Sequence, residues 1–205
     1  PLLIPEVNPS HTALIDQQKF GSGGFIVTNP NCSTVGLVCA LKPLADAFGL
    51  EAVHVSTMQA LSGAGYPGVS SLDILGNVVP YIGGEEDKLE TEPLKLMGTL
   101  SGGAVQPMDT VISAQCNRVA VLDGHLETVS VRLRESPTPE QAIAAFRDYP
   151  NPIAKFGLPT SPNPFIKVFE DPRFPQPRRQ ANLGGGMTVS VGRVRRFPLQ
   201  DLLTV

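Results

Sequence analysis

The amino-acid sequence predicts an α/β domain of the α+β kind, with a mixed, largely antiparallel sheet and helices on one face. Three observations lead there. Two runs of period-2 alternation, "VISAQCNRVAV" and "HLETVSVRL", stand close together in the second half, as antiparallel strands do. Two segments carry helical spacing instead, one after "TNPNCS" and one opened by "TPEQ". Twenty glycines and twenty prolines make about a fifth of the 205 residues, which calls for many turns between short elements. Helices need an apolar partner surface, and one face of the sheet supplies it.

Taken in order, Gly23–Asn29 ("GGFIVTN") is a short apolar run that reads as a buried strand. A helix follows over Ser33–Phe48, with Val35, Val38, Cys39 and Ala45 on one face. Ser33 or Thr34 caps its start and Gly49 stops it. Pro43 has no N–H to donate and is expected to kink or split it. "LEAVHVSTMQAL" alternates as a strand and ends in the Gly-rich loop "SGAGYPG". A short helix is expected near Val69–Leu75, and "NVVPYIGG" is strand-like or irregular. "GEEDKLETEPLKLMGTL" reads as an acidic helix. The two alternating runs separated by "LDGH" are expected to pair with each other. "TPEQAIAAFRDY" places proline in a first turn, where its missing N–H costs nothing. Pro150–Asn182, crowded with proline, is an ordered but irregular excursion, and "GGMTVSVGRVRRF" closes the chain as a strand. A sheet covered on one side leaves an apolar face that a second copy would bury.

Several function classes fall away early. A net charge of −3 and a pI near 5.6 give no general attraction for nucleic acid or an anionic membrane. No apolar run approaches the roughly 20 residues that span a bilayer. Three cysteines, an odd count without a secretory signal, read as reduced thiols in a cytoplasmic protein. The chain opens on "PLLIPEVNP" and stops at "DLLTV", ends expected of a piece cut from something longer.

The chemistry centres on Cys32. At the first turn of a helix a thiol meets unpaired N–H groups and the positive end of the macrodipole, and both favour thiolate. The competing reading is a packed thiol, as for Cys39 two turns on and Cys116 in a strand. No paired-cysteine spacing supports zinc, and no metal is expected. Of three histidines, His11 lies in a loop-like opening segment and His54 in a strand, as a core or sheet-face residue. His125 lies in the turn after Asp123-Gly124, where a rigid scaffold presents catalytic groups. Arg118, seven residues earlier, is a bidentate clamp for a carboxylate or a solvated strand cation. Gln59 ends its strand as a neutral amide able to orient an oxygen. Ser62–Gly65 ("SGAG") admits a ligand to the backbone or is only a turn, and it lacks the dinucleotide fingerprint. Glu85, Glu86 and Lys88 are a ligand cluster or a solvated helix end.

Together, "NPNCST", "STMQALSGAG", "VPYIGGEEDK", "NRVAVLDGH" and "GGGMTVSVGRVR" resemble aspartate-β-semialdehyde dehydrogenases of the archaeal and fungal branch. They stand in family order and span Ile4–Arg196. The resemblance implies NADP-dependent reduction of L-aspartyl-4-phosphate to L-aspartate-4-semialdehyde through a cysteine thioester, on the pathway to lysine, threonine and methionine. It implies a fold like the catalytic domain of glyceraldehyde-3-phosphate dehydrogenase, and a homodimer. Carried over by motif, Cys32 resembles the nucleophile, Gln59 the residue orienting the intermediate, and His125 the acid/base catalyst. Arg118 resembles the clamp on the substrate α-carboxylate, Glu85 the partner of its ammonium group, and Lys88 a phosphate-binding residue. Ser62 and Gly63 fall where the family's catalytic domain touches NADP. Residues 1–205 are then the catalytic and dimerisation domain, with an N-terminal Rossmann NADP-binding domain and a C-terminal closing helix outside this chain. That piece is expected to be incompetent for turnover alone. The alternatives are another thioester-forming acyl-phosphate reductase, a Cys–His hydrolase, or a non-catalytic dimerisation module.

Overall fold

The computed structural model describes residues 1–197 and the strand at 202–204. The first long element, α1 (Cys32–Phe48), starts one residue before its expected position, because Asn31 is the cap. Its side-chain oxygen accepts from the amides of Ser33 at 3.0 Å and Thr34 at 3.3 Å. Ser33 and Thr34 therefore lie inside the first turn rather than capping it. Gly49 does stop α1, at φ +69°, and a Cβ there would meet the Arg134 side chain at 2.9 Å. Pro43 neither splits nor ends the helix. It is buried in the packed face beside Leu41 and Leu44, and that packing outweighs the hydrogen bond it cannot make.

The strand β1 (Leu50–Gln59) lies second from one edge of the five-stranded main sheet. On its edge side it pairs in parallel with β4 (Val111–Arg118), which follows a separate hairpin of β2 (Thr99–Ser101) and β3 (Ala104–Gln106), matching Gln59 to Arg118. On the other it pairs antiparallel with β5 (Leu126–Leu133), matching Thr57 to Glu127. The expected β4–β5 hairpin is thus wrong: β1, with Val53 and Val55 buried, takes the place between them. The connecting Val119–His125 segment is too long for a tight turn and crosses the end of β1. It bonds there through Val119 N–H to the Gln59 carbonyl at 3.0 Å and Leu61 N–H to the Val121 carbonyl at 2.7 Å. The sheet continues β5–β9–β8, with β8 at Arg195–Phe197 and β9 at Leu202–Thr204. One pairing is parallel and the rest antiparallel, as expected of a mixed sheet.

The acidic segment forms a helix (Glu85–Leu96, α3) after a single turn at Ser71–Ile74 (α2). Its glutamates are not a solvated fringe. Glu90 accepts from the Ala114 amide and Glu86 from the Cys116 amide, each at 3.0 Å. Spacing i, i+4 on the helix matches alternate outward N–H groups of the edge strand, which would otherwise be open to another chain. The capping box of Thr138 and Gln141 opens α4 (Pro139–Arg147), which packs on α1.

Three further expectations change. Gly23–Asn29 is not a buried strand: Phe25 and Ile26 are exposed, and only Thr28 makes a bridge, to Leu2. The closing strand is broken at Arg193, at φ +59°. Before the break, β7 (Val189–Gly192) pairs in parallel with β6 (Ile166–Phe169), which lies inside the Pro-rich excursion. The open face of the sheet is mostly polar, presenting His54, Ser113, Gln115, Thr128 and Arg132.

Candidate functional site

The register of β1 against β4, and the crossing segment that follows, bring three distant residues to one end of the sheet. Gln59 and Arg118 end adjacent strands, and His125 precedes the first residue of β5. The mouth of α1 faces them. His125 Nε2 lies 3.1 Å from Cys32 Sγ. On the far side of the ring, the Ala60 N–H donates to His125 Nδ1 at 3.0 Å. Arg118, almost fully buried, donates through Nη1 to the Ala60 carbonyl at 2.7 Å.

A second set of contacts runs from Cys32's neighbour into α3. Asn31 Nδ2 donates to Glu85 Oε2 at 2.7 Å, and Gln59 Nε2 reaches the same oxygen at 3.4 Å. Lys88 Nζ donates to Glu85 Oε1 at 3.0 Å. The Asn31 amide is in turn bonded to Glu92 at 2.8 Å. Gly63 sits against the opposite side, where a Cβ would be 3.0 Å from both Arg118 Nη1 and His125 Cε1. So Cys32, His125, Gln59, Arg118, Glu85, Lys88 and Gly63 form one cluster. Ser62 adjoins it along the chain and is exposed, its amide donating to the Leu122 carbonyl and its carbonyl accepting from the Gly65 N–H. His11 is elsewhere, bonded to Asn8 and the Gly98 carbonyl, and His54 lies on the open sheet face.

The electrostatics depart from one expectation. The Cys32 thiol pKa is raised rather than lowered. Loss of solvent around the sulfur is the first cause and the Glu85 charge the second. The Ser33 and Cys32 amides and Arg118 pull the other way without winning. The residue is exposed at the helix mouth, yet its sulfur rests on His125 and is partly shielded. Burial, then Arg118, lowers the His125 pKa. Burial pushes Glu85 up, but hydrogen bonds from Asn31 and Lys88 and the lysine charge outweigh it, so it stays ionised. Burial raises both Cys39 and Cys116, which are packed thiols.

Two participants escape a reading of the sequence. Asn31 has a visible signal, since asparagine outranks serine and threonine as a cap. Glu127 has none: it lines the same cavity as Cys32 and His125, a space of about 620 Å³. No hydrogen bond reaches its carboxyl among the described residues, and burial pushes its pKa up to about 8. Among the described residues no three metal-ligating side chains cluster, and no helix is long and apolar enough to cross a membrane.

Comparison with known proteins gives this cluster a context. Residues 41–205 match the family described as semialdehyde dehydrogenase, dimerisation domain. The chain belongs to the semialdehyde dehydrogenase family. It is 53% identical over 198 residues to aspartate-semialdehyde dehydrogenase of Archaeoglobus fulgidus, covering 96% of this chain and 56% of that protein. To the Saccharomyces cerevisiae protein of the same name it is 44% identical, covering all of this chain and 60% of that one. A crystal structure of aspartate semialdehyde dehydrogenase with NADP from Candida albicans superposes with a TM-score of 0.88 at 42% identity, over 100% of this chain and 60% of that one. Another semialdehyde dehydrogenase, the Vibrio cholerae type II enzyme complexed with ASA, gives 0.77 at 28% identity, over 100% and 60% of the two chains. The chain thus spans somewhat more than half the length of these relatives.

Proposed function

We propose that this chain carries the thiol chemistry of an NADP-dependent aspartate-semialdehyde dehydrogenase, converting L-aspartyl-4-phosphate to L-aspartate-4-semialdehyde and phosphate. The observation that carries the reading is the 3.1 Å approach of His125 Nε2 to Cys32 Sγ, with Arg118, Glu85 and Lys88 in the same cluster. Cys32 attacks the acyl carbon and phosphate departs, leaving a thioester. Lys88, half exposed at the rim, screens the phosphate charge. Arg118 spends one donor on the Ala60 carbonyl and offers the rest of its fork to the substrate α-carboxylate. Glu85 takes the α-ammonium, and Gln59 orients the acyl oxygen. Since the Glu85 charge is one cause of the high Cys32 pKa, an ammonium placed there also eases thiolate formation.

A nicotinamide ring would sit beside Cys32 and His125, which also line a cavity with the volume of a small-molecule pocket. Ser62 and Gly63 would hold it, the glycine bringing exposed backbone beside His125. When bound, NADPH supplies the hydride that reduces the thioester. His125 serves the oxygen and sulfur as the tetrahedral adduct forms and collapses.

Residues 1–205 act in this reading as the catalytic and dimerisation domain of a cytoplasmic homodimer. Because they match just 56–60% of the relatives' length, the 205 residues alone are expected to form the covalent adduct without sustained turnover. A homodimer is expected on sizing, and a clean monomer counts against it. The test of the chemistry is mass spectrometry after limiting iodoacetamide. Cys32 labels ahead of Cys39 and Cys116 if the reading holds; equal or absent labelling overturns it.

A further inference from the structure

The residue before the nucleophile has every polar group engaged. Asn31 Oδ1 caps α1, and the Asn31 carbonyl accepts from the Val35 N–H at 3.1 Å. Its Nδ2 donates to Glu85, and its own N–H donates to Glu92 Oε2 at 2.8 Å. We infer that Glu92 is a positioning residue, whose carboxylate fixes the Pro30–Asn31 peptide and through it the setting of Cys32 at the mouth of α1. The inference rests on the thioester reading above and adds a residue to its machinery.

The need for Glu92 begins in the local chain. Proline at position 30 has no N–H, so the Asn31 N–H is the last backbone donor before the helix begins. It lies where α1 packs on α3 and is partly shielded from water, so its acceptor has to come from the protein. The period of α3 supplies one. Glu85 and Glu92 stand seven residues apart, two turns and about 10 Å along the axis. Both leave the same face of the helix, and their carboxylates converge on the two nitrogens of Asn31. Lys88, between them, bonds to Glu85. Glu86 and Glu90 leave by another face, toward β4.

The consequence reaches the sulfur by way of the backbone. Holding the Asn31 N–H sets the plane of its peptide, and with it the Asn31 φ of −54°. The first turn of α1 is then aligned so that the amides of Ser33 and of Cys32 itself hydrogen-bond to the sulfur, and both favour thiolate. The Ser33 amide is bonded to Asn31 Oδ1 as well, which ties that alignment to the same residue. Without the Glu92 oxygen the orphaned N–H turns toward water, the turn loses its alignment, and the amides leave the sulfur.

The experiment is the pH profile of Cys32 alkylation by iodoacetamide in the 205-residue chain and in Glu92→Gln, Glu92→Ala and Glu90→Ala, with urea unfolding of each. Glu92→Gln keeps an acceptor oxygen for the Asn31 N–H and is expected within about twofold of the parent rate throughout. Glu92→Ala is expected to slow labelling at neutral pH by about threefold to tenfold, with the midpoint of the profile moved up. Glu90→Ala loses an equivalent bond, to the Ala114 amide, so it should lose stability and keep the parent profile. That contrast separates positioning from a general loss of stability. Should Glu92→Ala not fold, hydrogen exchange in the parent decides, and the Asn31 amide is expected among the protected ones. The inference is overturned by a Glu92→Ala profile that superposes on the parent, or by Glu92→Gln as slow as Glu92→Ala. A Glu90→Ala profile shifted as far, or an Asn31 amide exchanging like an exposed one, also overturns it. Such a failure with Cys32 still labelled ahead of Cys39 and Cys116 leaves the thioester reading intact; loss of that preference in the parent removes both.

Discussion

Asn31 and Glu85 are joined at 2.7 Å, so the residue that caps the nucleophile's helix is also the residue that holds the site's buried carboxylate. The helix mouth and the substrate-reading charge are one mechanical unit. Moving either end displaces Cys32, which follows Asn31 directly in the chain.

That link carries an electrostatic prediction. Glu85 is the second cause of the high Cys32 pKa, after loss of solvent. Glu85→Gln removes the charge while leaving an oxygen for Asn31, so the thiol pKa falls. Alkylation of Cys32 at pH 8 is expected to quicken by roughly threefold to tenfold. Substrate binding weakens at the same time. A slower alkylation would remove Glu85 from the thiol's environment.

Gly63 is the position where one methyl group should matter most for least stability. A Cβ there lies 3.0 Å from Arg118 and from His125, while the loop itself is exposed. Gly63→Ala is expected to cut Cys32 reactivity on the order of tenfold or more by moving the imidazole, with urea stability changed by less than about 1 kcal/mol. Unchanged reactivity would mean that the ring shifts freely.

Glu127 sets a pH dependence of folding. An acid whose pKa is about 8 when folded and 4.5 ordinarily holds its proton more tightly in the native state. Its contribution is therefore full below pH 4.5 and is lost as pH climbs to about 8. Glu127→Gln keeps the shape without the ionisation. It should abolish that decline and exceed the parent at pH 9 by roughly 2–4 kcal/mol in urea unfolding. Parallel curves for the two proteins would show that Glu127 ionises as freely folded as unfolded.

The α3 glutamates guard the sheet edge. Glu86→Ala with Glu90→Ala leaves the Cys116 and Ala114 amides without acceptors, at a cost of roughly 1–3 kcal/mol each. Hydrogen exchange at those two amides should accelerate, and light scattering should report association through β4. Exchange at the parent rate would mean that the helix shields the edge without its carboxylates.

Much of this site was legible because its parts are local. Cys32 stands at a helix start, Gln59 and Arg118 at strand ends, and His125 in a turn, and each position can be read from a few neighbouring residues. What escaped depends on placement across the fold. Nothing in "LDGH" says that another strand lies between its two flanks, so the β4–β5 pairing was misread. The same period-2 pattern serves either arrangement, and only segment length argued against a tight turn. The thiol's charge state was misjudged for a similar reason. The helix mouth is visible in sequence, but the Glu85 carboxylate that opposes it arrives from 53 residues away (85 minus 32). Glu127 offered no signal at all, since a glutamate alternating along a strand reads as solvent-facing until the register turns it toward Gly36.

The crossing over the end of β1 has a practical corollary. Seven residues, Val119 to His125, span from the edge strand β4 to β5 and touch β1, the strand between them, on the way. Their composition can drift, but their count cannot: adding or deleting one would re-aim the imidazole while leaving every strand intact. An indel there would yield a well-folded chain whose sulfur has lost its companion.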